Sequence, residues 1–216
     1  MNRAELVALS LQGLLAWLVL SALGWYFGGA LGQCLLPGFG FIINQICPDY
    51  SSWLTLLPEN HDFTIQLSAI VVNPVLLGDK LWLNPGLELT VGTHLMHTLV
   101  PLVIQVSILL VWPVKSWRKR VILLVLGLVT SVFVLGLTAP FLLLGNLEVY
   151  LLELAEQAKV HRPEPWTLSW MIFCEMGGRW LLPIVAAVLC IKLQQAISTS
   201  CKKNSIKTNL LENSQT

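Results

Sequence analysis

WTLSWMIFCEMGGRWLLPIVAAVLCIKL, residues Trp166 to Leu193, decides how the chain is read. The run is almost wholly apolar and long enough to cross a bilayer, which takes about 20 residues. A carboxylate and a guanidinium interrupt it, in Cys174-Glu175-Met176-Gly177-Gly178-Arg179. A charge at the bilayer centre costs at least about 2.5–3.5 kcal/mol, so such groups face protein and find partners. Glu175 and Arg179 stand four apart, hence on one helix face. Counted from Trp166 they lie about 14 Å and 20 Å along the helix, so both are expected deep in the span.

The rest of the composition agrees. Of 216 residues, 55% are hydrophobic and 12% charged, against about 25% charged in a soluble domain. A net charge of +1 gives no case for nucleic acid as a partner, which needs a basic face. The implied solvent is membrane lipid.

Upstream, Leu6 to Leu36 contains no charge, is too long for a secretory signal and reads as an uncleaved first span, so residues 1–36 form the N-terminus and helix one. Gly24, Gly28 and Gly32 repeat every fourth residue, which permits close helix packing. Gly177 and Gly178 are read in the same way, as a place where another backbone approaches. Pro37-Gly38-Phe39-Gly40 is expected to break the first helix, and Pro48 to Ser52 to form a turn.

Residues 37–93 make an external segment whose period changes. From His61 to Ile70, Phe63, Ile65, Leu67 and Ala69 alternate with Thr64, Gln66 and Ser68, the repeat of a strand with one buried face. Lys80 to Val91 is the returning strand, with Asn84-Pro85-Gly86 as a bulge or turn. So small a β element must rest on the helices or on a partner.

Residues 94–145 hold spans two (His94 to Trp112) and three (Val121 to Leu144), joined by Lys115-Ser116-Trp117-Arg118-Lys119-Arg120. Residues 146–165 follow. Leu147, Leu151 and Leu154 give the part to Ala158 one apolar face, the mark of an amphipathic helix on the outer surface. Residues 166–193 are span four, and 194–216 a polar, loosely ordered tail. With four spans, nine cations fall on one side: Arg3, Lys115, Arg118, Lys119, Arg120, Lys192, Lys202, Lys203 and Lys207. Lys80, Lys159 and Arg162 fall on the other. The cation-rich side is cytoplasmic, so both termini are inside and the β element outside. The fold class is an all-α polytopic membrane protein with a small extracytoplasmic β element between helices one and two.

Chemistry is less legible. Glu175 and Arg179 read as an intramembrane pair for binding or assembly, or as helix packing. His94 and His97 share a helix face at the mouth of span two and form a possible outer-face site. No third ligand is fixed by the sequence, so no metal is expected. Cys174, Arg179 and either histidine supply the residue types of a thiol enzyme, although Glu175 beside the sulfur opposes thiolate formation. Glu175 as a carrier's proton site is opposed by Arg179, which holds it ionised. No Walker-type loop, GxSxG, HExxH or GxGxxG appears, so neither catalytic residue nor cofactor is assigned. Five cysteines leave at least one unpaired, and a Cys34–Cys47 bridge stays open.

The order of features resembles a known family. Trp25-Tyr26 closes the first span, and a strand segment follows. Asn84-Pro85-Gly86 precedes a helix containing Pro101-Leu102, and the last span reads Met176-Gly177-Gly178-Arg179-Trp180-Leu181-Leu182-Pro183. This is similar to the small exosortase-associated membrane proteins, in particular those accompanying exosortase H. Arg179-Trp180 departs from that family's smaller, less polar end. The resemblance implies a non-enzymatic accessory of the bacterial inner membrane, working beside a larger integral-membrane partner in the sorting or export of surface proteins. It carries over no catalytic residues.

Overall fold

A computed structural model describes residues 3–59, 62–78, 81–114 and 116–212. His61, Lys80 and Lys115, used above, lie outside them. The chain is mostly helical with a small sheet. Three helices carry apolar runs long enough to cross a membrane, Val7–Ile46, Trp117–Gln157 and Trp166–Ile197, as suits a multi-pass membrane protein.

Helix α1 (Arg3–Ile46) has 44 residues, about 66 Å. It continues through Pro37, where a break was expected. Proline removes one intrahelical hydrogen bond, but Gly38 and Gly40 keep negative φ, so nothing else ends the helix there. It stops at Ile46, just before Cys47-Pro48, because the residue preceding a proline is pushed out of the helical region.

The sheet follows at once. Strand β1 (Tyr50–Glu59) pairs antiparallel with β2 (Asp62–Val71), and β2 with β5 (Glu88–His94), in the order β1-β2-β5. The expected turn at Pro48 to Ser52 is therefore largely strand. Trp53-Leu54-Thr55-Leu56-Leu57 lacks clean alternation, which hid it. In β2 the alternation reads correctly: Ile65, Leu67 and Ala69 are at most 1% exposed. The returning strand begins at Glu88, not Lys80. Before it, β3 (Val75–Leu76) and β4 (Trp82–Leu83) form a two-pair ladder, and Gly86 (φ +90) turns the chain in the left-handed region that glycine tolerates.

Helix α2 (Leu95–Val111) grows directly out of β5, and α3 (Trp117–Gln157) runs back beside it. The sheet and the basic hinge before α3 thus stand at opposite ends of α2, which has 17 residues, about 25 Å. Arg120 closes the hinge: its guanidinium donates to the carbonyls of Leu110 (2.6 Å) and Trp112 (3.2 Å).

The separate surface helix expected at 146–158 is the far end of α3, which continues through Pro140. Leu147, Leu151 and Ala155 instead pack on Val71, Leu77, Leu83 and Leu89 of the sheet region. A second core joins Phe39 and Ile43 of α1 to Ile65 and Leu67 of β2, Leu95 and Leu99 of α2, and Leu135, Ala139 and Leu143 of α3. The β element is thus held by three helices.

Helices α4 (Trp166–Phe173) and α5 (Arg179–Glu212) are joined by a wide π-helical turn, Cys174–Gly178. The helical backbone runs on to Glu212, where a loose tail was expected.

Candidate functional site

The π-turn places the charged pair. Gly177 sits at φ +124, a conformation open to glycine and costly for other residues. A Cβ on Gly177 would meet nothing within 4 Å, and one on Gly178 would strike the ring and carbonyl of Phe173. Within the chain these two glycines shape their own helix, and no other described helix packs on them. Single π-turns of this kind often mark functional positions.

Across this turn Arg179 forms an ion pair with Glu175. Arg179 is 7% exposed, whereas the Glu175 side chain is 54% exposed. Met176 (85%) and Trp180 (51%) flank it on the surface. The buried cation fixes a carboxylate that faces out of the bundle.

The pair also lies nearer the sheet than the count from Trp166 implies. Met171 packs on Gly145 of α3, and the neighbouring Asn146 amide donates to the Gly92 carbonyl of β5 (3.1 Å). The start of α4 therefore runs beside the part of α3 nearest the sheet, beyond the beginning of α2. At the other end, Leu109 of α2 and Ala187 of α5 share a cluster. Both helices run antiparallel to α3, and Gln105 and Cys190 meet through Thr130, so counting eleven residues, about 16 Å, back from each reaches His94 and Arg179, the first residue of α5. The pair sits level with the first turns of α2, not mid-bundle.

His94 and His97 stand 5.9 Å apart, ring to ring, and His94 Nδ1 lies 3.8 Å from Asp62 Oδ2. Among the described residues no three His, Cys, Asp or Glu side chains converge as a metal site. Cys174 is fully enclosed, so a substrate reaches its thiol only if the π-turn moves. Cys34 and Cys47 are both free. Thirteen residues, about 20 Å of chain, separate them along α1, well beyond disulfide reach.

Gly24, Gly28 and Gly32 are buried along the start of α2. A Cβ on each would lie 3.9 Å from Met96, 3.6 Å from Leu95 and 3.1 Å from Leu95 respectively. Gly32 also meets Leu56 of β1 (3.2 Å), so this stripe seats both α2 and the sheet on α1.

Two polar constellations were not visible in sequence. In the bundle, Gln105 is fully buried and donates through Nε2 to Thr130 Oγ1 (2.5 Å) and the Gly127 carbonyl (3.2 Å). Thr130 also contacts Cys190 Sγ (3.1 Å), which ties α2, α3 and α5 at one point. Beside the sheet, Arg162 donates through Nε (3.2 Å) and Nη2 (2.8 Å) to Glu148 Oε2, and through Nη1 to the Leu76 carbonyl (2.8 Å). Burial, with Glu148 and Asp49 nearby, pushes the Cys47 thiol up to about 11. Burial and Glu148 push the Tyr50 phenol up to about 12. A single Gln, or an Arg and a Glu fourteen residues apart, carries no spacing signature.

Comparison with known protein families, characterised proteins and solved structures finds no match.

Proposed function

We propose that this chain is a non-enzymatic accessory of the bacterial inner membrane. It crosses the membrane four times, with α2 as the second span, and docks a larger integral-membrane partner. The sheet at one end of α2 and Arg118, Lys119 and Arg120 at the other support this topology, because cations collect on the cytoplasmic side. Both termini are then cytoplasmic and the sheet extracytoplasmic.

One observation carries the docking reading. Glu175 is half exposed on an otherwise apolar face while its counter-ion is buried. Level with the first turns of α2, the carboxylate stands towards one end of the spans with one side turned out of the bundle, and a partner offering a cation or hydrogen-bond donor there would pair with it. The face between Met176 and Trp180 is the partner surface in this reading. The exosortase setting rests on the sequence resemblance alone, and no family match supports it. The thiol-enzyme reading is disfavoured by the enclosed Cys174, and the carrier reading by the Arg179 pair.

A photo-crosslinking residue at position 176, in native membranes, tests the proposal. It should give a discrete protein adduct that Glu175→Gln weakens. The same residue at position 128, an exposed site on α3, should label lipid. Lipid labelling alone at both positions would end the docking reading.

A further inference from the structure

The sheet has two edges. β5 lies beside α3, whose Asn146 amide takes the Gly92 carbonyl. β1 is the other edge. Its register with β2 runs without a bulge from Tyr50 opposite Val71 to Glu59 opposite Asp62.

The ladder shows which β1 groups face outward. The Val72 N–H donates to the Asp49 carbonyl (2.9 Å), so in this register the odd-numbered residues of β1 exchange hydrogen bonds with β2. The even-numbered ones, Ser52, Leu54, Leu56 and Pro58, turn their backbone groups to the open edge. Pro58 has no N–H to offer, and an edge-facing position is where proline costs no ladder bond. Tyr50 N–H is held by the Cys47 carbonyl (3.3 Å). Among the described residues, no backbone group outside the sheet takes the outward N–H groups of Ser52, Leu54 and Leu56.

The even side chains turn towards α1. Leu54 and Leu56 meet Gly40 and Gly32, and the Ser52 hydroxyl donates to Asn44 (2.6 Å). Trp53 and Leu57 stand on the opposite face, 41% and 46% exposed. An unbulged edge of this length is a template for another strand, and proteins usually blunt it with charge. Tyr50 to Leu57 has no charge at all, while carboxylates flank it at Asp49 and Glu59.

We propose that β1 accepts an added strand from another polypeptide: an extended segment, uncharged over about nine residues and basic at its ends, so that each cation meets Asp49 or Glu59. A second copy of this chain fits less well. Antiparallel pairing of β1 with itself about Leu54 would set Asp49 of one copy opposite Glu59 of the other, a repulsive pair. The inference takes its setting from the docking reading but uses a different surface.

The test uses the full chain in detergent and a fluorescent undecapeptide, Lys-Thr-Val-Thr-Val-Thr-Val-Thr-Val-Thr-Lys, whose lysines stand ten apart like Asp49 and Glu59. Three forms are compared: unmodified, N-methylated at the threonines and N-methylated at the valines. Each methylated form blocks one strand edge. The unmodified peptide should bind, and one methylated form should bind while the other loses at least about tenfold in affinity. Ser52→Pro should weaken binding similarly, since it removes an outward N–H and leaves the β1–β2 ladder. Glu59→Lys should weaken this peptide and favour its Glu-flanked analogue. No binding up to about 1 mM, equal effects of the two methylation patterns, or a dimer abolished by Ser52→Pro would overturn the proposal. Loss of peptide binding with the position-176 adduct intact would sink strand addition alone. The converse would sink the membrane-face reading alone.

Discussion

Arg162→Ala should be among the most damaging single changes outside the helical bundle. The guanidinium joins three parts of the chain: the loop after α3, Glu148 on α3 and the Leu76 carbonyl of β3. Its side chain is 12% exposed and that of Glu148 17%. Removing one partner of a fully buried pair costs about 3–5 kcal/mol, because the other charge is stranded. Here some water reaches both groups, so about 2–3 kcal/mol is the expected loss. Glu148→Gln should cost less, about 1–2 kcal/mol, since an amide still accepts a hydrogen bond. The double variant should fall short of additivity by about 1–2 kcal/mol, the signature of two groups that interact directly. Arg162→Lys should recover only part of the loss, because an ammonium lacks the planar fork that reaches Glu148 and Leu76 together. Equilibrium unfolding in mixed SDS and mild-detergent micelles, followed by tryptophan fluorescence, measures all four. Amide exchange at Lys159 and Val160, which donate to Glu156 and Ala155, should quicken in Arg162→Ala before the bundle opens. Additive single losses, or unchanged exchange there, would show that the pair is incidental.

Other consequences can be checked separately. Gly145→Ala places a Cβ 2.4 Å from Met171 Cβ, and overpacking of this kind costs about 1–3 kcal/mol. Adding Met171→Gly should restore part of the loss in the same unfolding assay, and no rescue would place the clash elsewhere. Gly177→Ala forces alanine to φ +124, a penalty of about 1–3 kcal/mol, and Gly177→Asn should be milder than Gly177→Val. The folded chain holds the Cys47 and Tyr50 protons more tightly than the unfolded one. Their contribution to stability is intact below about pH 9 and is lost as pH rises through about 11 and then about 12. Alkylation of Cys47 near pH 8 should therefore run about a hundredfold slower than that of a thiol of ordinary pKa. Glu148→Gln should speed it, because that carboxylate holds the thiol up, and a rate insensitive to both pH and Glu148 would contradict the assignment.

How far the site could be read from residues alone differs between its parts. The Glu175–Arg179 spacing announced an ion pair on one helix face, and the two side chains do meet. What the spacing could not give was the asymmetry between a buried guanidinium and an exposed carboxylate. That depends on the π-turn, and a turn of one extra residue leaves no periodic trace in five residues. The Gln105 and Arg162 knots were invisible because each draws on residues distant in sequence.

By itself the sequence determined the solvent and most of the elements. Long uncharged runs can hide their apolar surface only in lipid or in one another, and the alternation of Ile65, Leu67 and Ala69 requires a sheet with one dry face. Local chemistry decided much less about where elements end. Pro37 looks like a terminator, yet α1 passes through it, as α3 passes through Pro140, because packing of Phe39 and Ile43, and of Leu143 and Leu144, beyond the prolines outweighs one missing hydrogen bond. Only tertiary structure decided that the end of α3 spends its leucines on the sheet, that β1 is a strand at all, and that no described backbone group pairs with its outer edge. Each of those depends on which surfaces meet, and that is a property of contacts between distant residues rather than of any window of the chain.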